Sequence, residues 1–121
     1  MTNFRYLSLS LCHSTGTGLV SMVAAIAGCR NVLATDFNPL ALSFVRKAVE
    51  LNGIDEACIN TAIFDVQALN SQPLPSCDLL LIADLLYTKV TAIAVASRVV
   101  EALEQKASVI IGDSPNRPGY F

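Results

Sequence analysis

Three carboxylates of this sequence each follow a short apolar run: Asp36 after Val32-Leu33-Ala34-Thr35, Asp65 after the run that ends at Phe64, and Asp84 after Leu79-Leu80-Leu81-Ile82-Ala83. Gly16-Thr17-Gly18 follows an earlier run and opens directly into the apolar stretch that starts at Leu19. Glycines ahead of a helix let the backbone approach a ligand closely, and the free N–H groups of a helix start favour a carboxylate or phosphate. A carboxylate at a strand end, eighteen residues beyond Gly18, can accept hydrogen bonds from both hydroxyls of a ribose. Phe37 beside it can lie against an adenine face. Tyr87, three residues beyond Asp84, shares the mouth that Asp84 lines. Each feature also has a plain structural reading: a tight strand-to-helix connection, an acid that starts the next helix, a packed ring, a solvated loop acid. A dinucleotide fingerprint wants a third glycine three residues beyond Gly18, where Ser21 stands, so NAD and FAD lose ground.

The elements that must position these residues are legible as alternating apolar runs and amphipathic stretches. Strands are expected over Leu7 to Leu11, Val32 to Thr35, Cys58 to Phe64, Asp78 to Ile82 and Ser108 to Ile111, and a short apolar helix over Leu19 to Ala27. Asn38-Pro39 is an N-cap with proline at the first helical position, and Asn52-Gly53 is a helix stop. Between them Leu40, Ala41, Phe44, Val45, Ala48 and Leu51 are expected on the buried face; a later helix carries Ala92, Ile93, Ala96, Val99, Val100 and Leu103. A polar loop with Asn70, Ser71, Gln72, Pro73 and Pro75 precedes the fourth strand. Strand and helix alternate in this way in α/β folds with a parallel sheet and helices on both faces, which bind ligands outside the carboxyl ends of the strands.

Composition bounds the function. The 121 residues make a single domain, 1–121; 53% are hydrophobic and 15% charged, far from a disordered chain. The net charge is −2, and Lys and Arg are scattered at positions 5, 30, 46, 47, 89, 98, 106 and 117, so no basic stripe points to nucleic acid. Cys12, Cys29, Cys58 and Cys77 are widely spaced with only His13 as a companion, which predicts reduced thiols and no metal site. From Tyr6 to Cys29 there is no charged residue, and Ile26-Ala27-Gly28-Cys29 has the form of a lipoprotein processing box. His13-Ser14-Thr15-Gly16-Thr17-Gly18 interrupts that run with polar residues, so the expectation is a cytoplasmic chain with no membrane partner, or an organellar one whose targeting segment is missing.

The ordered set Gly16-Thr17-Gly18-Leu19-Val20, Val32-Leu33-Ala34-Thr35-Asp36-Phe37-Asn38-Pro39, Asp65 and Ala83-Asp84-Leu85-Leu86-Tyr87 resembles the successive motifs of seven-strand S-adenosylmethionine-dependent methyltransferases. It is most similar to the protein-lysine methyltransferase-like group, in which D-x-x-Y follows the fourth strand. The tail from Gly112 to Phe121 resembles that group's loop after strand five. The resemblance implies a three-layer Rossmann-like sandwich, five strands in the order 3-2-1-4-5, with the family's last strands absent from a partial domain. It implies S-adenosylmethionine as cofactor. The loop Ser14, Gly16, Thr17, Gly18 would meet its methionine part, Asp36 its ribose, Phe37 and Asn38 its adenine, and Asp65 the adenine amino group. Ala83 would border the cofactor, and Asp84 and Tyr87 would flank the acceptor, a protein lysine or a small amine.

The sequence departs from the family pattern ahead of Gly16, where Cys12, His13 and Ser14 hold positions at which an acid, an apolar residue and a glycine are expected. A methyltransferase and a non-catalytic relative that serves as a binding module both fit these residues.

Overall fold

A computed structural model describes residues 5–9, 18–83 and 88–112. Five strands form one parallel sheet: β1 (Arg5–Leu9), β2 (Asn31–Asp36), β3 (Ile59–Ile63), β4 (Leu79–Ala83) and β5 (Ser108–Gly112), in the order β3-β2-β1-β4-β5. Helices α1 (Leu19–Ile26), α2 (Pro39–Leu51) and α3 (Lys89–Glu104) connect them, with a 3-10 turn over Glu56–Cys58. Strand order reverses at β1, whose neighbours are β2 and β4, so the crevice above its carboxyl end is the place where such a sheet binds ligands.

Local chemistry sets the element ends. Asn38 caps α2, its side chain accepting from the Leu40 N–H, and Pro39 takes the first helical position where its missing N–H costs nothing. At the other end Gly53 has φ of 65°, the left-handed turn foreseen for Asn52-Gly53. Thr88 caps α3, its hydroxyl accepting from the Thr91 N–H.

Two apolar clusters flank the sheet. One joins Met22 and Ala24 of α1 and Val45 and Val49 of α2 to Val32, Ala34 and Ile59. The other joins Ala92, Val95 and Ala102 of α3 to Leu80 and Ile82, together with Phe64, Val66, Leu74 and Cys77 from the segment between β3 and β4.

The buried helix faces differ from those expected. On α2 the buried residues are Ala41, Leu42, Val45 and Val49, while Leu40, Phe44 and Leu51 are exposed. On α3 they are Thr91, Ala92, Ala94, Val95, Arg98 and Ala102, while Ile93, Val100 and Leu103 face outward. Small residues bring α3 close to the sheet, and the one large group on that face, Arg98, is admitted because every polar atom of it is satisfied.

Gly18 begins α1 with φ of 72°, in the left-handed region. A Cβ there would lie 2.8 Å from Cγ1 of Val45, so this glycine lets α1 pack on α2. Its role in the fold is therefore packing as well as any approach to a ligand. Gly18→Ala is expected to destabilise the chain by about 1–3 kcal/mol, from positive φ and overpacking together. The midpoint of urea denaturation checks this, and an unchanged midpoint would contradict it.

The segment from Phe64 to Asp78 takes the place of a crossover helix. The polar loop expected within it, with Asn70, Ser71, Gln72, Pro73 and Pro75, is exposed or half-buried at those positions, whereas Phe64, Val66, Leu74 and Cys77 are buried and belong to the core.

Candidate functional site

Because the five strands are parallel, their carboxyl ends share one rim, and the residues just beyond them are the candidates. Asp36 ends β2 and Ile63 pairs with it in register as the last residue of β3. The Phe64 N–H continues the ladder and donates to the Asp36 carbonyl at 2.9 Å, which sets Asp65 one residue beyond this link. Asp36 and Asp65 are thus brought to neighbouring strand ends.

Their environments differ. Asp36 is 3% exposed, and its Oδ1 accepts from the Asn38 N–H at 3.1 Å, which fixes the turn into α2. Phe37 is 46% exposed, so its ring is presented at the rim and not packed away. Asn38 is half-buried, and its side chain is engaged as the α2 cap. Asp65 is exposed, and its Oδ1 accepts from the Gln67 N–H at 2.9 Å. Ala83 ends β4, half-buried and paired with Gly112 of β5. Gly18 stands at the start of α1, and by topology the starts of α1, α2 and α3 all lie at this rim. Ser14, Gly16, Thr17, Asp84 and Tyr87 lie outside the described residues.

Sequence reasoning missed Arg98, which it counted only among scattered cations. Its side chain is fully buried, and all five of its N–H donors are used. Nε donates to the Val66 carbonyl at 3.0 Å, and Nη1 to the Gln72 carbonyl at 2.6 Å and to Glu101 Oε1 at 2.8 Å. Nη2 donates to the Asp65 carbonyl at 3.1 Å and the Ala68 carbonyl at 3.2 Å, while the guanidinium lies 4.5 Å from the centroid of the Phe64 ring. The same face of α3 grips the rest of the segment. Glu101 accepts from the Leu74 N–H, Gln105 from the Cys77 N–H, and Thr91 Oγ1 from Gln67 Nε2. A stretch without regular backbone hydrogen bonds is thereby satisfied by helix side chains. One signal for this was present in the sequence: Arg98 and Glu101 sit three apart as the two charged residues between Val90 and Leu103.

Among the described residues Cys29 and Cys58 are half-buried free thiols and Cys77 a buried one; burial, then the Asp78 carboxylate, pushes the Cys77 thiol above its ordinary value. Among the described residues no cluster of His, Cys, Asp or Glu could hold a metal, and no helix is long and apolar enough to cross a membrane.

The rim residues fit a nucleoside of the S-adenosylmethionine kind. Ribose hydroxyls and an exocyclic amine are hydrogen-bond donors, and the rim presents the carboxylate acceptors Asp36 and Asp65 at adjoining strand ends beside the exposed, flat, apolar ring of Phe37. The segments 18–21, 36–40, 64–67 and 88–91 hold two carboxylates and a single cation, Lys89, a charge balance that suits a ligand without phosphates.

Comparison with solved structures finds TehB from Haemophilus influenzae at a TM-score of 0.51 and 18% sequence identity, covering 79% of this chain and 32% of that one. This likeness shows the Rossmann-like α/β fold, and the chain spans about a third of that protein's length. No curated protein matches. A family model described as lysine methyltransferase matches residues 11–117, a span that takes in the glycine loop, both rim carboxylates, the D-x-x-Y segment and Arg98. The chain belongs to the lysine methyltransferase family.

Proposed function

We propose that this chain binds S-adenosylmethionine at the rim and transfers its methyl group to an amine, the ε-amino group of a protein lysine being the preferred acceptor. The observation that carries this reading is the pairing of buried Asp36 with exposed Asp65 at adjoining strand ends, in a member of the lysine methyltransferase family. When bound, S-adenosylmethionine would supply a methyl group on a sulfonium, to whose carbon an amine lone pair bonds in line as the sulfur leaves as the neutral thioether of S-adenosylhomocysteine.

The chain's task is then to hold and orient. Asp36 accepts the ribose hydroxyls, Phe37 and Asn38 border the adenine, and Asp65 accepts from its amino group. Ser14, Gly16, Thr17 and Gly18 meet the methionine part, and Ala83 closes the wall between cofactor and acceptor. A lysine, with an ordinary pKa near 10.4, reaches the site as an ammonium and must lose a proton before it can attack. Asp84 attracts the ammonium and Tyr87 lines its path, so these two residues position the acceptor.

The test is incubation of the chain with methyl-labelled S-adenosylmethionine and, separately, lysine-containing polypeptides or small amines. Label in lysine side chains supports the reading. Asp84→Ala and Tyr87→Ala are expected to lower turnover about tenfold to a hundredfold while changing affinity for S-adenosylhomocysteine no more than about twofold. Equal loss of both would overturn the division of roles. Cofactor binding without transfer to any amine would favour the binding-module alternative, toward which Cys12, His13 and Ser14 point.

A further inference from the structure

Asp65 is held on both sides of its Cα. Its N–H donates to Gln72 Oε1 at 2.8 Å, and its carbonyl accepts from Arg98 Nη2 at 3.1 Å as well as from the Ala68 N–H. Gln72 and Arg98 are themselves joined, because the Gln72 carbonyl accepts from Nη1 at 2.6 Å. Both peptide groups are thus held and Oδ1 is taken by the Gln67 N–H, while Oδ2 of this exposed residue accepts from no group among the described residues.

We propose that Arg98 and Gln72 form a clamp that aims the Asp65 carboxylate at the amino group of an adenine ring, so that two residues out of contact with the ligand set the base selectivity of the site. This rests on the cofactor reading above. Burying a guanidinium is a costly way to cover a sheet, and apolar residues would cover the same area as well. What the planar five-donor fork adds is a single backbone path through Asp65, Val66, Ala68 and Gln72. A lysine, with three donors on one atom, cannot reproduce it. Arg98 is therefore a positioning residue.

The experiment is calorimetric titration of the wild-type chain, Gln72→Ala and Arg98→Lys with S-adenosylhomocysteine and with its hypoxanthine analogue, in which an oxygen replaces the 6-amino group. Circular dichroism establishes that each protein is folded. The wild type is expected to prefer adenine by about tenfold or more, since the oxygen would face a carboxylate. In the variants that preference falls to about twofold, with affinity for the hypoxanthine analogue unchanged. If Arg98→Lys does not fold, Gln72→Ala carries the test, because it removes a single side chain from a half-buried position. Folded variants that keep the wild-type preference, or that lose affinity for both ligands equally, overturn the clamp and leave the cofactor reading standing. A folded wild-type chain that binds neither ligand overturns the cofactor reading and the clamp with it.

Discussion

Replacing Arg98 by methionine is expected to lower the stability of the chain by about 2–5 kcal/mol, the cost of leaving two carbonyls in the interior without a donor. The volume is similar, so the loss is one of satisfied polar groups. The Val66 and Gln72 carbonyls lose a donor, while the Asp65 and Ala68 carbonyls keep a backbone partner each. Glu101, whose side chain is 31% exposed, keeps its bond from the Leu74 N–H and loses its cation. A fold of this size has only about 5–15 kcal/mol in hand, so the variant should melt at a markedly lower urea concentration. A shift worth less than about 1 kcal/mol would mean that the segment from Phe64 to Asp78 is held by its apolar residues, and that the donor fork contributes little.

Asp36→Ala is expected to weaken binding of S-adenosylhomocysteine at least a hundredfold. Two hydrogen bonds from ribose hydroxyls to a carboxylate are each worth about 1.5–3 kcal/mol, more than a neutral pair would give. The substitution also removes the acceptor of the Asn38 N–H, at a cost of about 1 kcal/mol in stability, which a melt separates from the binding loss. Calorimetric titration below the melting range is the check. A folded variant within about threefold of wild-type affinity would show that Asp36 serves the turn into α2 and not a ribose.

Legibility in the sequence follows the kind of signal each feature has. The span of α2, Pro39–Leu51, was plain because Asn38-Pro39 and Asn52-Gly53 are local chemistry that needs no tertiary knowledge. The strands were found within about two residues because short, mostly apolar runs bounded by turn residues mark them, most plainly in β4, whose run Leu79-Leu80-Leu81-Ile82 is unbroken. The outer faces were misread for a physical reason: α2 and α3 carry large apolar residues on more than the face that meets the sheet. Leu40 and Phe44, 58% and 55% exposed, look as apolar in the sequence as Leu42 and Val45, which are buried. Which stripe faces the sheet is decided by how closely small residues such as Ala92 and Ala102 let α3 approach.

The same distinction holds at the site. Asp36 and Asp65 were legible because each stands at the end of an apolar run, Asp36 as the last residue of β2 and Asp65 two residues beyond β3, and strand ends are where a parallel sheet binds. Gly18 was half legible, since a glycine opening a helix was singled out for close backbone approach, but its left-handed φ and its contact with Val45, a residue distant in the chain, were not. Arg98 was barely legible: its spacing from Glu101 was the one signal, because its other partners are main-chain carbonyls of a segment some thirty residues away, and carbonyls carry no residue type.

The most direct test of the account is calorimetric titration of the wild-type chain with S-adenosylhomocysteine, repeated in the presence of NADH. The account predicts one saturable site that NADH does not compete for, since the described rim offers carboxylates to hydroxyls and an amine but one cation, Lys89, to phosphates. Displacement by NADH, or no heat of binding from a chain shown to be folded, would contradict it.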